Sequence, residues 1–187
     1  KAQTYNMAIA RRLAHDGINL TTVYHVPLKR VWDAFAEGNQ KLNWSGAGNT
    51  IEPGEWAFDF RVGGRDIDEG AFHSGPVSRY EATYTDIVAH VRIVTTYDMW
   101  LDGAHMSTSV AWLEFEPSSE GTRFTHIEHG LFFAQFWADG PGREAGSRGR
   151  HDPLGPHPAP WPQPRTPPGA PSRAARSMLP SPTRLTS

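Results

Sequence analysis

Between Trp56 and His129 the chain changes sides at almost every residue, and short turn signals interrupt the alternation. Trp56, Phe58 and Phe60 alternate with polar neighbours, and so do Tyr80, Ala82 and Tyr84. A period of two is the mark of a strand with one buried face. Val62-Gly63-Gly64, Gly75-Pro76, the stretch 86–90, Asp102-Gly103 and the stretch 117–121 punctuate the runs. Asp102-Gly103 is the sharpest hairpin signal, because both residues tolerate the positive φ that a tight two-residue turn requires. Strands are expected over 65–73, 92–101, 105–116 and 122–129. Turns this short join only antiparallel neighbours, so the segment reads as an antiparallel meander.

Upstream the period changes. Leu20 to Val26 is rich in β-branched residues and reads as a strand. Pro27 then suits the edge of a helix, and Leu28, Val31, Trp32 and Phe35 fall at i, i+3, i+4 and i+7. That spacing predicts one face of a helix running to about Glu37 and stopped by Gly38. A second short helix is expected to carry Leu42 and Trp44. Met7, Ile9, Ala10 and Leu13 predict a short amphipathic helix ending before Asp16-Gly17. After the last strand, Leu131-Phe132-Phe133 and Phe136-Trp137 form an aromatic cluster suited to covering the sheet. With many strands and few helices, the fold class is α+β.

The Pro-rich end of the chain is a different material. Twelve of the sixteen Pro follow residue 140, whereas six of the seven Trp precede residue 138. Residues 1–140 carry eleven basic and eighteen acidic side chains, a net of -7, and residues 141–187 a net of +5. An acidic folded part argues against nucleic acid as a partner, since phosphate binders cluster Lys and Arg. There is no Cys, which removes disulfides, thiolate nucleophiles and Cys-ligated zinc. No apolar run approaches the roughly 20 residues that span a bilayer, and no secretory signal is evident, so a cytoplasmic protein without a membrane partner is expected. The expected organisation is an extension over 1–17, a domain over 18–149 and a disordered Pro/Arg-rich tail over 150–187.

The order of a strand, Pro27, a helix with Trp32 and Phe35, Trp44, and then Phe58-Asp59-Phe60-Arg61-Val62-Gly63-Gly64-Arg65 resembles the SRPBCC superfamily. That superfamily gathers START lipid-binding domains, polyketide cyclases and pollen-allergen-like proteins. The stretches 84–88, Tyr97-Asp98-Met99 with Asp102-Gly103, 107–115, 121–125 and Glu128-His129-Gly130 resemble one branch of it most closely. That branch holds the homologues of the activator of heat-shock-protein ATPase. The resemblance implies a helix-grip fold, in which a curved antiparallel sheet wraps a long C-terminal helix and a pocket lies between them. Here Gly146, Gly149 and Pro153 interrupt that helix. Gly costs about 1 kcal/mol and Pro about 3 kcal/mol in a helix interior, so the gripping helix is expected to be truncated or absent. A pocket floor bared in this way would favour a homodimer.

The resemblance also orients the strands. Phe124, His126 and Glu128 share one face of the last strand, which looks inward in the superfamily. Ile67, Glu69, Ala71 and His73 share a face of their strand, and Ile93, Thr95, Tyr97, Met99 and Leu101 share one on the long hairpin. The expected pocket lining is Trp56, Glu69, His73, Tyr84, Tyr97, Met99, Trp112, Phe124 and Phe132. Its expected partner is a hydrophobic small molecule. His126 and Glu128 are the catalytic candidates, as general base and orienter of a cyclase or dehydratase; against this stands a purely structural polar pair, and the reading leans away from an enzyme. No cofactor is expected. His126 and His129 point to opposite faces of a strand, so a metal site is not expected either. A chaperone enters as a partner through the branch's name alone, with no sequence feature to support it.

Overall fold

The computed structural model describes residues 13–42, 44, 51–72 and 75–136, with the backbone alone described at 51–53 and 72. Seven strands form one sheet: β1 (Leu13–Tyr24), β2 (Ile51–Phe58), β3 (Arg65–Phe72), β4 (Val77–Val88), β5 (Arg92–Leu101), β6 (Ala104–Ser118) and β7 (Gly121–Phe133). Two helices, α1 (Leu28–Ala36) and α2 (Gly38–Lys41), lie between β1 and β2, and a 3-10 turn (Ala134–Phe136) follows β7. The strand order is β1-β7-β6-β5-β4-β3-β2, with every pairing antiparallel. Strands β2 to β7 are therefore a meander, and β1 closes on the last of them. This curved sheet with two short helices is the helix-grip α+β arrangement. The expectations of a truncated or absent gripping helix and of a disordered tail concern residues outside those described. No helix among the described residues is long and apolar enough to cross a membrane.

The turns carry the chemistry their sequences suggest. Asp102 and Gly103 both have positive φ (48° and 74°), and Leu101 pairs with Ala104 across them. This is the type of turn whose twist matches that of the flanking strands. Gly121 opens β7 at φ 136°, where a Cβ would collide with the carbonyl oxygen of Tyr24. Only glycine fits there.

Four boundaries differ from the sequence expectation. Leu13 to Gly17 are not the end of a helix but the first part of β1, paired with Phe133 to His129. The reason is that β7 runs on to Phe133, so its edge offers backbone partners that residues 13–17 satisfy. Leu131-Phe132-Phe133 consequently belong to the sheet and do not cover it. Strand β4 continues to Val88, with a bulge at Tyr84/Asp86, before His90 turns the chain at φ 62°. The second helix ends at Lys41, with Leu42 as its cap. Trp44 lies beyond it and donates its indole N–H to the Ala34 carbonyl at 2.7 Å. Met7, Ile9, Ala10 and Trp137 lie outside the described residues.

Helix α1 depends on packing. Nine residues are too few for a stable isolated helix, and Pro27 at its N-cap makes no side-chain hydrogen bond. Its buried face is Val31, Trp32, Ala34 and Phe35. Phe35 stacks on Phe124 with ring centroids 5.2 Å apart and meets Phe115 edge-on at 5.4 Å and Trp44 at 4.8 Å. Trp32 meets Phe115 edge-on at 5.2 Å and Phe60 at 5.9 Å. Tyr24, Tyr84 and Ile93 complete this cluster. Removing the Phe35 ring takes away three aromatic partners at once. Phe35→Ala is expected to lower the unfolding free energy by about 3–5 kcal/mol in urea titrations. A loss below about 1 kcal/mol would show that α1 is held by something else.

Candidate functional site

Directly opposed residues of antiparallel strands share a face, so the register sorts the side chains into rows. On the face that carries α1, one row is Phe115 and Phe124, and the next is Ile87, Ile93, Leu113, His126 and Leu20. The third is Tyr84, Thr95, Ala111, Glu128 and Ile18. The fourth is Phe58, Asp66, Ala82, Tyr97, Ser109, Gly130 and Asp16, and the fifth is Trp56, Asp68, Tyr80, Met99, Ser107, Phe132 and Ala14.

Helix α1 cannot cover all five. Its nine residues span about 14 Å at 1.5 Å each, whereas the fifteen of β6 span about 50 Å at roughly 3.4 Å each. The helix packs on the first rows. Beyond it a second apolar cluster forms around Ala82, Tyr97 and Ala111, with Tyr80 and Met99 against it. The rings of Tyr80 and Tyr97 lie 4.9 Å apart. Ser107, Ser109, Glu128 and Phe132 are buried on the same face. Short helix α2 lies over the β2 end, where the rings of Trp56 and Phe58 come within 3.1 Å of the point at which a side chain on Gly38 would begin.

Of the sequence-derived lining, Tyr84, Tyr97, Met99, Phe124, Phe132 and Trp56 stand on this inner face. Tyr84 and Phe124 belong to the cluster under α1; Tyr97 and Met99 belong to the second one. Two residues are misplaced by the sequence reading. Trp112 pairs with Val94 and Ile127 and meets His129 at 6.0 Å, so it is on the outer face. A bulge between Met99 and Trp100 shifts the register of β5 against β6 by one residue and reverses the parity of everything after it on β6. Glu69 is also on the outer face, where its carboxylate and that of Glu55 receive the Arg79 guanidinium at 2.9 Å and 2.7 Å. Those two carboxylates, Glu55 foremost, raise the Arg79 pKa above its ordinary value. His73 lies outside the described residues.

His126 and Glu128 do converge. Nε2 of His126 is 3.5 Å from Oε2 of Glu128, with their side chains 9% and 4% exposed. Leu113 and Leu20 flank His126 across the sheet, and Ala111 and Ile18 flank Glu128. An imidazole and a carboxylate held together in an apolar layer can pass a proton to a bound molecule or simply neutralise each other.

A second polar group escaped the sequence reading. Asp66, 1% exposed, accepts from the Lys41 ammonium through Oδ2. The Tyr84 hydroxyl donates to the same oxygen at 2.9 Å. The ammonium also lies 5.1 Å from the centre of the Phe58 ring and 5.9 Å from that of Tyr80. Alternation alone could have flagged Asp66, which shares the parity of the inward Asp68. The neighbouring Ile67 is buried on the outer face and masks that signal.

Burial, and then the charge of neighbouring Tyr80, raises the Tyr84 hydroxyl above its ordinary value of 10.0. In the unfolded chain Tyr84 ionises near that ordinary value, while in the folded chain it keeps its proton. Its contribution to stability is therefore complete below about pH 10 and is lost as pH rises toward the folded value. Urea midpoints measured between about pH 9 and pH 11.5 are expected to fall less steeply in Tyr84→Phe than in the parent. Equal slopes would show that Tyr84 ionises freely.

The family described as Activator of Hsp90 ATPase homolog 1-like protein matches residues 25–148. Among solved structures, the Mll3558 protein from Rhizobium loti is 35% identical, covering 76% of this chain and 96% of its own, with a TM-score of 0.70. An uncharacterised protein from Rhizobium leguminosarum is 27% identical over 76% of this chain and 93% of its own, with a TM-score of 0.72. The AHSA1-like protein from Aeromonas hydrophila, at 18% identity and a TM-score of 0.53 over 74% of this chain and 89% of its own, shares the fold. No curated protein matches.

Proposed function

The chain belongs to the family of Activator of Hsp90 ATPase homolog 1-like proteins, within the SRPBCC superfamily, and from that premise we propose that it binds a hydrophobic small molecule against the second cluster of its inner face. The observation that carries this reading is the pairing of an aromatic and thioether surface, Tyr80, Tyr97 and Met99, with a few buried polar groups, Ser107, Ser109 and Glu128. Ligand sites have that composition, mostly apolar walls with a small number of placed polar groups. The hydrophobic effect favours an apolar ligand there in proportion to the area it covers.

A neutral solvatochromic dye such as Nile red tests the site. Its emission is expected to rise and shift to the blue on titration with the protein, and Met99→Arg is expected to weaken binding by at least about tenfold, or about 1.4 kcal/mol. Equal binding by parent and variant, with the fold of each checked by urea midpoint, would move the ligand elsewhere. No binding by either would sink the reading.

The His126–Glu128 contact favours a second reading, that of an enzyme working on a bound carbonyl compound, with His126 as base and Glu128 as orienter. Aldol or dehydration turnover of a β-hydroxy ketone should then drop by about 100-fold or more in His126→Ala. Turnover that survives the substitution counts against it.

A further inference from the structure

We propose that Asp66 is the polar anchor of this binding site, and that the ligand is a neutral hydroxyl-bearing hydrophobic molecule, an alcohol or phenol, whose O–H donates to Asp66 Oδ1. This rests on the reading that the second cluster is the binding surface.

The two oxygens of Asp66 are used unequally. Oδ2 receives both the Lys41 ammonium and the Tyr84 hydroxyl. Oδ1 is buried and has no hydrogen-bond partner. Buried side-chain oxygens are nearly always hydrogen-bonded, and an orphaned one on a residue 1% exposed marks a place where a donor is missing. Asp66 also stands where a ligand on the second cluster would end. Its inner-face neighbours across the sheet are Phe58 on β2 and Ala82 on β4, and Ala82 is opposite Tyr97 on β5. Ala82 and Tyr97 are both members of that cluster. The indole N–H of Trp56, one row further along, is likewise buried without a partner.

The chemistry selects the donor. An ionised carboxylate only accepts hydrogen bonds, so the ligand must donate. A carboxylate ligand would set its own lone pairs against Oδ1 and would share the face with buried Glu128. An ammonium ligand would meet Lys41, which already neutralises Asp66. It would also lose its hydration on entering an aromatic layer. A neutral hydroxyl avoids both penalties and completes the shell of Oδ1.

Calorimetric titration of the full chain with three ligands of one shape separates these cases: 4-hexylphenol, its methyl ether 4-hexylanisole, and 4-hexylbenzoate. The phenol is expected to bind at least about tenfold more tightly than the ether and the benzoate, as expected when a single charge-assisted hydrogen bond is lost. Asp66→Asn, which keeps the shape and removes the charge, is expected to shrink the preference for phenol over ether to about threefold or less. Phenol and ether binding alike in the parent, as when a resident water already satisfies Oδ1, would overturn the anchor while leaving the apolar site in place. Benzoate binding most tightly would overturn it in favour of an anion site. If none of the three binds, the binding surface itself is refuted, and the anchor with it. The parent series decides the matter even if Asp66→Asn does not fold.

Discussion

A seven-stranded sheet with one apolar face needs a cover, and the longest helix among the described residues has nine. Where that helix lies divides the described part of the face. Helix α1 packs over Phe115, Phe124, Tyr84 and Ile93, and there it makes a largely aromatic core. The remaining rows of the same face hold a second, separate cluster. A helix of fixed rise and a sheet of strands twice to four times its length cannot match in any other way. The division of the inner face into a core and a candidate binding surface is thus a consequence of element lengths.

Two of the buried polar groups, Tyr84 and Glu128, are at the seam between the two halves. Tyr84 and Glu128 belong to one row, three strands apart, with only Thr95 and Ala111 between them. At about 4.8 Å per strand they face each other across roughly 14 Å. Small residues stand in the middle of the row and polar groups at its two ends. Each polar group is tied to a partner: Tyr84 to Asp66, which also receives Lys41, and Glu128 to His126. Burying charges in this way contributes little net stability, because desolvation offsets the attraction. What it does contribute is fixed geometry at the edge of an apolar surface, which is the requirement for choosing one ligand over another.

Local chemistry was legible in the sequence and long-range parity was not. The Asp102-Gly103 turn, the stripe of Val31, Trp32 and Phe35, and the shared face of Phe124, His126 and Glu128 all follow from spacing, and the resemblance to the superfamily turned that shared face inward. Trp112 was misassigned because the bulge at Met99/Trp100 inserts one residue without a sequence signature. A single inserted residue turns every later side chain over. Glu69 was misassigned for a different reason. On β3 the apolar Ile67 faces out with it and the charged Asp66 faces in, so hydrophobicity points the wrong way. Sequence patterns fail most readily where a charge is buried on purpose, and here the failure coincides with the Lys41–Asp66–Tyr84 group. Nothing in the spacing of Lys41 and Asp66, on a short helix and on a strand, could have paired them.

The separation of the two halves also separates stability from recognition. On the sheet, Phe35 and Trp32 pack against the first row, Phe115 and Phe124. Tyr97 and Met99 lie three and four rows further along the strands. Sites that far apart with no shared partner contribute nearly additively, so the second cluster can change its side chains without loosening α1. Asp66 is the exception, because Tyr84 links it to the core while Ala82 links it to the second cluster. A substitution there is felt on both sides. Of the inner-face polar residues it is therefore the one at which ligand preference and folding are most tightly bound together.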